Sequence, residues 1–299
     1  MIKVNNQPID IQHFPDGTPK ISIDPRILHC IKDHNPPTIH ITWKYESDAE
    51  LTYLFYITEH IKTKLTNPVL HLTLAYVPNA RFDRVKTDDE VFTLKHFATL
   101  LNHMGFATVR TLDVHSNVAK ALINHIDDRD ITAYIRVVLR LISSQRTNDA
   151  FNMKYGLNLC PTNTENIVFF FPDEGAMKRY ASLSNEFDIP YVFGMKNRDW
   201  KSGQILGLDI CNPSNLDLKD KTVLIIDDIC SKGGTFYHSA KKLQEYEPKE
   251  IYLYVSHCEN TILDGELIES GLVKEIFTTP SLLTIKHPCI TIIERRYLL

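Results

Sequence analysis

Short apolar runs alternate along this chain with stretches of helical periodicity. The apolar runs predict strands at residues 39–42, 69–77, 107–112, 167–171, 191–193, 222–226, 251–255, 273–278 and 290–293. Apolar residues at helical spacing predict helices over residues 47–65, 91–104, 131–144 and 174–187, and a further helix near Phe236. Because strands and helices alternate, we expect parallel strands joined by helical crossovers, which is an α/β fold.

The segment from Lys221 to Thr235 carries the most specific polar pattern. Its predicted strand, residues 222–226, is followed directly by Asp227 and Asp228, so two carboxylates are expected where the strand ends. A polar turn then precedes a helix, and it consists of Ser231, Lys232, Gly233, Gly234 and Thr235. Backbone N–H groups in such a turn favour a phosphate, and adjacent carboxylates can accept hydrogen bonds from two hydroxyls. The pattern suits a sugar phosphate, and a simple helix-capping loop is the alternative interpretation.

Composition sets limits on the whole chain. With 299 residues, 43% of them hydrophobic, it is long enough for two domains of ordinary size. The net charge of −4, with both signs interspersed, gives no support for a nucleic-acid or membrane-surface partner. Six cysteines are scattered without a CxxC pair, which is typical of reduced thiols. No apolar run reaches a membrane span and residues 1–5 do not open a signal peptide, so we expect a soluble cytoplasmic protein.

Several other segments place polar groups beside predicted strands. Residues 14–21 combine a Pro-Asp-Gly turn with strand-like alternation, which is typical of a hairpin. Arg81 and Arg84 follow the second predicted strand. Their planar guanidinium groups could donate hydrogen bonds to a triphosphate, and a solvated surface turn is the ordinary alternative. Later predicted strands are followed by His115, by Asp173, and by Lys196 with Arg198. Each of these also has an ordinary structural or surface interpretation.

Taken in order, these segments resemble the motifs of the ribose-phosphate diphosphokinases, or PRPP synthetases. The stretch 221–235 resembles the ribose-5-phosphate loop of type I phosphoribosyltransferases, and five motif segments follow the family's order over nearly the whole chain. The resemblance implies an α/β fold of two tandem type I phosphoribosyltransferase-like domains, each a mainly parallel sheet flanked by helices. Residues 1–164 would carry the ATP-binding segments. Residues 165–299 would carry the diphosphate loop, the catalytic flap and the ribose-5-phosphate loop.

The resemblance assigns ATP binding to the first half of the chain. In the family, a Phe-x-Asp-Gly-Glu segment reaches the adenine and a Tyr-Ala-Arg-Gln-Asp-Arg segment holds the triphosphate. The corresponding ATP-binding positions of this chain are Phe14, Asp16, Arg81, Asp83 and Arg84. Thr18 stands in place of the family's Glu and Phe82 in place of its Gln, so base recognition is expected to differ in detail.

The resemblance also implies Mg²⁺ as a cofactor. PRPP synthetases carry Asp-Leu-His-Ala where this chain has Asp-Val-His-Ser at residues 113–116, and that His contacts the ATP-bound Mg²⁺. A Ser-Pro-Asp-x-Gly-Gly turn of the family binds diphosphate and, through its Asp, a metal. Asp173 and Gly175 match this turn, while Ala176 replaces the second Gly. The implied ligands of Mg²⁺, directly or through water, are therefore His115 and Asp173.

Catalysis is assigned in the same way. Lys196 and Arg198 match a Lys-x-Arg pair on a flap that closes over the transferring group. The implied reaction moves the β,γ-diphosphate of ATP to the anomeric hydroxyl of a ribose 5-phosphate unit and releases AMP. Positioning and cationic neutralisation carry most of such a reaction.

The acceptor loop departs from the family pattern. Asp227 and Asp228 would hold the ribose hydroxyls, and residues 233–235 would cradle the 5′-phosphate. Ser231 and Lys232 stand where Asp-Thr is usual, which changes the local charge by two units. The acceptor is therefore either ribose 5-phosphate or ADP-ribose, whose distal ribose has the same free hydroxyl and which some viral relatives use. ADP-ribose would place the enzyme in NAD metabolism.

The family also implies partners. Because Phe14 and its neighbours act there on an adjacent subunit's ATP, we expect a homodimer or larger homo-oligomer, with small-molecule substrates and no nucleic acid or membrane. A polar segment before Asn166 suggests an insertion. Two other functions stay open. One is a non-catalytic PRPP-synthetase-associated regulatory subunit, and the other is a phosphoribosyltransferase that consumes PRPP without ATP.

Overall fold

The computed structural model describes residues 1–31, 35–144, 164–198 and 205–294. Contacts divide the chain into two compact units, Met1–Asp130 and Ile131–Leu299. Each unit combines a mainly parallel sheet with helices, which confirms the α/β class. Within the described ranges, we find no helix with the length and apolar character needed to cross a lipid bilayer.

The first unit contains a six-stranded sheet and a separate hairpin. Its strands are β1 (Ile2–Val4), β2 (Gln7–Pro8), β3 (Asp10–His13), β4 (Pro19–Ser22), β5 (Thr38–Trp43), β6 (Val69–Thr73), β7 (Thr108–Leu112) and β8 (Ile126–Arg129). Its helices are α1 (Pro25–His29), α2 (Ala49–Lys64), α3 (Thr93–His103) and α4 (Asn117–Leu122). The sheet order is β2-β1-β5-β6-β7-β8, in which β5 to β8 run parallel and β1 is antiparallel to both neighbours. Strands β3 and β4 form the hairpin.

Helices α2, α3 and α4 pack on one face of this sheet. Alternate strand residues such as Ile41, Leu72 and Val109 are buried, and they share one core with apolar side chains of the three helices. The opposite face carries polar side chains, among them His40 and His71, whose rings stack with centroids 5.1 Å apart. Parallel strands covered on both faces show continuous apolar runs, whereas alternation indicates one apolar and one polar face. The opposite face therefore lacks the apolar side chains that a second helix layer would bury.

The second unit contains a seven-stranded sheet. Its strands are β9 (Ile167–Phe171), β10 (Tyr191–Arg198), β11 (Ile205–Cys211), β12 (Thr222–Cys230), β13 (Glu250–Cys258), β14 (Glu275–Thr278) and β15 (Ile290–Ile292). Its helices are α5 (Thr132–Ser144), α6 (Glu174–Tyr180), α7 (Ser182–Phe187), α8 (Gly234–Gln244) and α9 (Glu266–Glu269), with a 3-10 helix at Asn260–Asp264. The order is β11-β10-β9-β12-β13-β14-β15, and every neighbouring pair is parallel except β10 and β11.

The strand order of the second unit brings the candidate loops together. Strand β9 lies between β10 and β12, so the chain leaves β9 towards one side of the sheet and later adds strands on the other. The carboxyl ends of the parallel strands β9, β12 and β13 meet at one edge. Ligands of open α/β sheets bind at such a reversal point, outside the carboxyl ends of the strands. This edge is therefore the place where a site is expected.

Helix α5 belongs by its contacts to the second unit. Arg136 pairs with Glu186 at 2.9 Å and lies 5.2 Å from the ring centre of Phe187. The predicted domain boundary lies between residues 164 and 165, after this helix, whereas the compact units meet at Asp130 and Ile131. The difference arises because the helix pattern does not show which sheet a helix packs against. The assignment of ATP and acceptor to separate domains stays a prediction.

Several strand ends differ from the sequence prediction. Strand β12 does not end with residues 222–226 but runs on to Cys230, because its later residues stay paired with β13, so the acidic pair lies inside the strand. Strand β6 stops at Thr73, short of its predicted end. The strand predicted at residues 191–193 continues through Lys196 and Arg198, because these residues pair with β11. The predicted catalytic flap therefore begins as an antiparallel hairpin.

Candidate active site

Asp227 and Asp228 lie side by side near the carboxyl end of β12. The Asp228 N–H donates to Asp227 Oδ1 at 2.9 Å, and Asp228 is 5% exposed. Loss of hydration, the Asp228 charge and the charge of Asp173 together raise the pKa of Asp227 well above its usual range. Two carboxyl groups are thus concentrated in one place, and their oxygens can accept hydrogen bonds from adjacent hydroxyls.

Arg179 of α6 contacts this acidic pair. Its Nη1 lies 3.2 Å from Asp228 Oδ2, and the two side chains are 23% and 7% exposed. The guanidinium group also lies 5.4 Å from the ring centre of Tyr180, which restricts its orientation. Sequence reasoning missed Arg179, because one arginine on a short, polar helix looks like surface charge. The packing of α6 beside β12 brings it to the site.

The turn between β12 and α8 has the predicted strand–turn–helix form. Gly233 is the N-cap residue of α8 and has φ of +78°, a conformation that favours glycine. Gly234 and Thr235 open the helix and are exposed, and the first N–H groups of a helix lack partners inside it. Lys232 is exposed and forms no ion pair within the part of the chain that the structure describes. The turn can therefore receive an anion.

Asp173 caps the N-terminus of α6, directly after β9. Its Oδ1 accepts a hydrogen bond from the Ala176 N–H at 3.0 Å. A Cβ atom at Gly175 would lie 3.1 Å from the same oxygen, which explains a glycine there. Ala176, which replaces a glycine of the family pattern, lies inside α6 and is buried. The replacement is mild because that position does not need a positive φ.

Gly194 allows β10 to approach this turn closely. A Cβ atom at Gly194 would lie 2.4 Å from the carbonyl oxygen of Pro172, so a larger residue would push the strand away. Lys196 and Arg198 follow in the same strand and pair with β11. For these two residues the structure describes the backbone pairing. Residues 199–204 of the predicted flap lie outside the described ranges. The start of the flap is thus next to the predicted diphosphate turn.

A buried polar network closes the same edge beyond β13. The Thr279 hydroxyl donates to the Ser256 carbonyl oxygen at 2.6 Å, and His257 Nδ1 lies 2.8 Å from Ser281 Oγ. All four residues are buried. The network ties the end of β13 to the segment after β14. Local sequence patterns do not reveal this network, because its partners are 23 or more positions apart in the chain.

In the first unit, the hairpin turn presents Phe14 to solvent. The Phe14 side chain is 52% exposed between β3 and β4, so its ring is available for stacking. Asp16 Oδ1 accepts hydrogen bonds from the Thr18 hydroxyl at 2.7 Å and from its N–H at 3.0 Å, and these bonds lower the pKa of Asp16. Thr18, which replaces the family's Glu, therefore closes the turn. The hairpin interpretation of this segment is confirmed.

The arginine segment after β6 is an exposed turn with an aromatic anchor. Arg81 and Arg84 are exposed, and Arg84 Nε lies 3.5 Å from Asp83 Oδ1. Phe82 contacts Phe92 edge-on, with ring centroids 6.4 Å apart. The apolar residue that replaces the family's Gln thus fixes the turn ahead of α3. The backbone that carries the two guanidinium groups is therefore fixed by this aromatic contact.

His115 lies in the turn between β7 and α4 and is half-buried. Asp128 of β8 organises this turn. Its Oδ1 accepts from the Thr111 hydroxyl at 3.0 Å and the Val114 N–H at 3.1 Å, and its Oδ2 lies 2.6 Å from Lys120 Nζ. Sequence reasoning missed both β8 and Asp128, because the strand is short and polar.

The predicted site residues thus fall in two groups, one carried by each unit. The second unit brings Asp173, Asp227, Asp228 and residues 231–235 to one sheet edge, with the start of the flap beside them. The first unit carries the hairpin, the arginine segment and His115. Among the described residues, no group of three or more His, Cys, Asp or Glu side chains is arranged to hold a metal ion. Mg²⁺ is compatible with this arrangement, since it commonly uses one or two carboxylates together with phosphate oxygens and water.

The five described cysteines are free thiols, and Cys160 lies outside the described residues. Cys230 is buried at the start of the predicted phosphate loop. Contact with the Cys258 thiol, together with burial, raises the pKa of Cys230. A thiol that stays protonated fits the interpretation of Cys230 as a small apolar filler.

Comparisons with known proteins agree with these observations. A model of the phosphoribosyl transferase domain matches residues 153–278. The ribose-phosphate pyrophosphokinase of Saccharolobus solfataricus is 26% identical over 257 residues, 86% of this chain and 77% of that protein. The ribose-phosphate pyrophosphokinase of Sulfolobus acidocaldarius is 25% identical over 281 residues, 91% of this chain and 84% of that protein.

The solved structure of phosphoribosylpyrophosphate synthetase from Mycobacterium smegmatis has a similar fold. The match has a TM-score of 0.67 at 17% identity and covers 96% of this chain and 86% of that one. It supports the two tandem phosphoribosyltransferase-like folds that the sequence predicts. The chain is therefore similar over most of its length to the ribose-phosphate pyrophosphokinases, or PRPP synthetases, and it contains a region that matches the phosphoribosyl transferase domain.

Proposed function

We propose that this enzyme, a diphosphotransferase, moves the β,γ-diphosphate of ATP to the anomeric hydroxyl of a ribose 5-phosphate unit and releases AMP. The observation that carries the proposal is the edge of the second sheet. There an acidic pair, a glycine turn at a helix N-terminus and a capping aspartate lie on adjacent parallel strands. Carboxylates suit sugar hydroxyls and helix N–H groups suit a phosphate. The relatives named ribose-phosphate pyrophosphokinases support the same reaction.

Lys196 and Arg198 are the proposed catalytic residues. The acceptor hydroxyl must approach the β-phosphorus of a polyanion in line, so fixed cations that meet the developing charge lower the barrier. Both residues lie on the strand that Gly194 places against the diphosphate turn. The close approach of Gly194 to Pro172, the residue before Asp173, supports their assignment.

ATP is the proposed diphosphate donor, bound by the first unit. Phe14 would stack on the adenine, and its 52% exposure supports that role. Arg81 and Arg84 would hold the triphosphate as planar donors, with Asp83 orienting Arg84. Asp16 would act through the turn that it closes with Thr18.

Mg²⁺ is the proposed cofactor, with His115 and Asp173 as its protein ligands, directly or through water. When bound, the ion would neutralise phosphate charge and hold the diphosphate in a defined geometry. A capped carboxylate next to an acidic pair fits a hard divalent cation, since oxygen ligands are those that Mg²⁺ prefers. Asp227 and Asp228 would meanwhile hold the two ribose hydroxyls.

The acceptor is ribose 5-phosphate or ADP-ribose. Residues 233–235 would cradle the 5′-phosphate in either case. The exposed Lys232, without an ion-pair partner in the described ranges, leaves a positive charge beside Ser231 where a second phosphate would lie. That observation favours a diphosphate ester, whereas the names of the relatives favour ribose 5-phosphate. ADP-ribose as acceptor would give ADP-ribose 1-diphosphate, in NAD metabolism.

We further propose that the protein works in the cytoplasm as a homodimer or larger homo-oligomer, without a nucleic-acid or membrane partner. Free thiols at the described cysteines support the compartment. The exposed Phe14 supports the assembly, because a ring displayed at a hairpin tip can reach a neighbouring copy.

The experiment that tests the function is phosphorus NMR of the purified protein with Mg-ATP and either ribose 5-phosphate or ADP-ribose. We expect AMP and a new anomeric diphosphate with one of them, and that acceptor is then identified. ATP left intact with both acceptors would contradict the proposal and favour the non-catalytic regulatory subunit. Consumption of PRPP without any use of ATP would favour a phosphoribosyltransferase.

A further inference from the structure

The turn that precedes α9 packs against the back of the predicted phosphate loop. Gly265 joins the 3-10 helix to α9, and a Cβ atom there would lie 1.8 Å from the carbonyl oxygen of Lys232 and 2.8 Å from its carbonyl carbon. The backbone at Gly265 has φ of −116° and ψ of 169°, which any residue can adopt. A glycine is therefore needed at this position for space and not for conformation.

Two further contacts hold the same loop from the same side. A Cβ atom at Gly233 would lie 3.0 Å from the buried Leu267 side chain, two residues beyond Gly265. The Glu259 N–H donates to the carbonyl oxygen of Cys230 at 2.8 Å. The segment from 259 to 267 thus contacts the loop at its start, at Lys232 and at Gly233.

These contacts fix the direction of one peptide group. In a planar trans peptide the C=O and the following N–H point in opposite directions. Because the Lys232 carbonyl faces Gly265, the Gly233 N–H points away from that turn. The open first turn of α8 begins at the next residue. An anion above this turn would meet the Gly233 N–H together with the helix N–H groups.

We propose that Gly265 is a positioning residue for the acceptor's phosphate, acting through the Lys232–Gly233 peptide. The proposal rests on the function assigned above to residues 233–235. Any side chain at position 265 must displace the Lys232 carbonyl, since backbone atoms cannot rotate away as a flexible side chain can. The peptide would turn or shift, and the loop would lose its fit to the phosphate while the acidic pair and the ATP segments keep their places.

The test compares Gly265→Ala with the wild-type protein in binding and turnover. We expect the Kd for ribose 5-phosphate or ADP-ribose, whichever binds, to rise by about 10-fold to 100-fold, because a lost hydrogen bond to a charged phosphate costs about that much affinity. The KM for the acceptor should rise with it, while the KM for ATP and the kcat at saturating acceptor change far less. Asp264→Ala, an exposed neighbour in the same segment, is the matched control and should bind as wild type does.

A folded Gly265→Ala variant with unchanged acceptor affinity would overturn the proposal. If that variant does not fold, Leu267→Val tests the same support of the loop, because a smaller side chain packs less closely against Gly233. This variant should weaken acceptor binding by a smaller factor. Unchanged affinity there would equally overturn the proposal. A wild-type protein that binds the acceptor but forms no product would contradict the proposed function and leave this inference standing. Wild-type protein that binds neither acceptor would contradict both.

Discussion

At the scale of single residues, the edge of the second sheet concentrates charge. Burial, together with the nearby charges of Asp228 and Asp173, raises the pKa of Asp227, and the partly buried Arg179 contacts the buried Asp228. Groups of like charge in a poorly hydrated place are costly when all are ionised. Clusters of like charge of this kind are common at functional sites, where a ligand or cation supplies the opposite charge.

Arg179→Met should destabilise the protein, because Asp228 would keep its burial and lose its cationic partner. We expect the free energy of unfolding to fall by about 1–3 kcal/mol, measured by urea denaturation. The matched control is Lys178→Met on the same helix, whose ammonium group is 3.8 Å from Glu174 and whose side chain is 74% exposed. That variant should stay within about 0.5 kcal/mol of wild type. Equal effects of the two substitutions would show that the contact with Asp228 contributes nothing.

Lys196→Ala should remove catalysis and leave the fold intact. A cation that meets charge developing on the transferred diphosphate is worth about 10²-fold to 10³-fold in kcat. Steady-state release of AMP measures the loss, and urea denaturation checks stability. Lys241→Ala, on the exposed side of α8, is the control for removal of a lysine. Wild-type turnover by the Lys196 variant would exclude Lys196 as a catalytic residue.

At the scale of elements, the first sheet shows how alternation shapes a surface. Strands β5, β6 and β7 place apolar residues on the helix side and polar residues on the other. His40 and His71 are in register on neighbouring strands, and Arg110 of β7 is near His71. Loss of hydration, His40 and Arg110 lower the pKa of His71. Asp127 of β8 accepts a hydrogen bond from Arg110 at 3.1 Å and so offsets part of that charge.

His71 should make the first unit less stable in mild acid. Its pKa in the folded protein is below the ordinary value of about 6.5, so the unfolded chain binds more protons near and below that pH. The contribution of neutral His71 to the free energy of unfolding is therefore lost as pH falls from about 7.5 to about 5.5. His71→Gln should reduce the loss of unfolding free energy between those two pH values, measured by urea denaturation.

The control for this effect is His96→Gln, an exposed histidine of α3. It should leave the pH dependence of unfolding close to that of wild type. A His71→Gln variant with an unchanged pH dependence would mean that the stacked histidines do not couple to stability.

At the scale of the whole molecule, each unit is built on parallel strands and carries its own core. In the first unit the strand order follows the chain from β5 to β8, whereas in the second it reverses around β9. The reversal opens the sheet edge where the acidic pair, the glycine turn and the capping aspartate lie. Helix α5 adds Ile135, Val138, Leu139 and Ile142, all buried, to the second unit.

A fragment of residues 131–299 should be more stable than one of residues 165–299. Loss of α5 removes its four buried aliphatic side chains and the contacts of Arg136 with Glu186 and Phe187. Each aliphatic side chain contributes about 1.5–3 kcal/mol by burial before entropy is subtracted, so we expect a lower unfolding midpoint for the shorter fragment. Equal midpoints in urea would place the boundary at residue 165, as the sequence suggests.

Much of the fold could be read from local patterns. Five apolar residues predict β9 with its observed bounds, and the helices around residues 47–65 and 91–104 differ from prediction at their ends only. Strands β1 and β8 and helix α4 could not be found, because they are short or polar and so lack a detectable period. The continuation of β12 through Asp227 depends on pairing with β13, which apolar patterning does not reveal.

The amino-acid sequence by itself determined the order of elements, the acidic pair and the glycine turn, because periodicity, turn chemistry and motif spacing are properties of neighbouring residues. Tertiary structure alone decided which distant groups meet. Arg179 and Asp228 are 49 positions apart, and Gly265 reaches Lys232 from beyond the next strand. Such contacts follow from how strands are ordered and how closely backbones approach. Neither property leaves a local pattern in the chain.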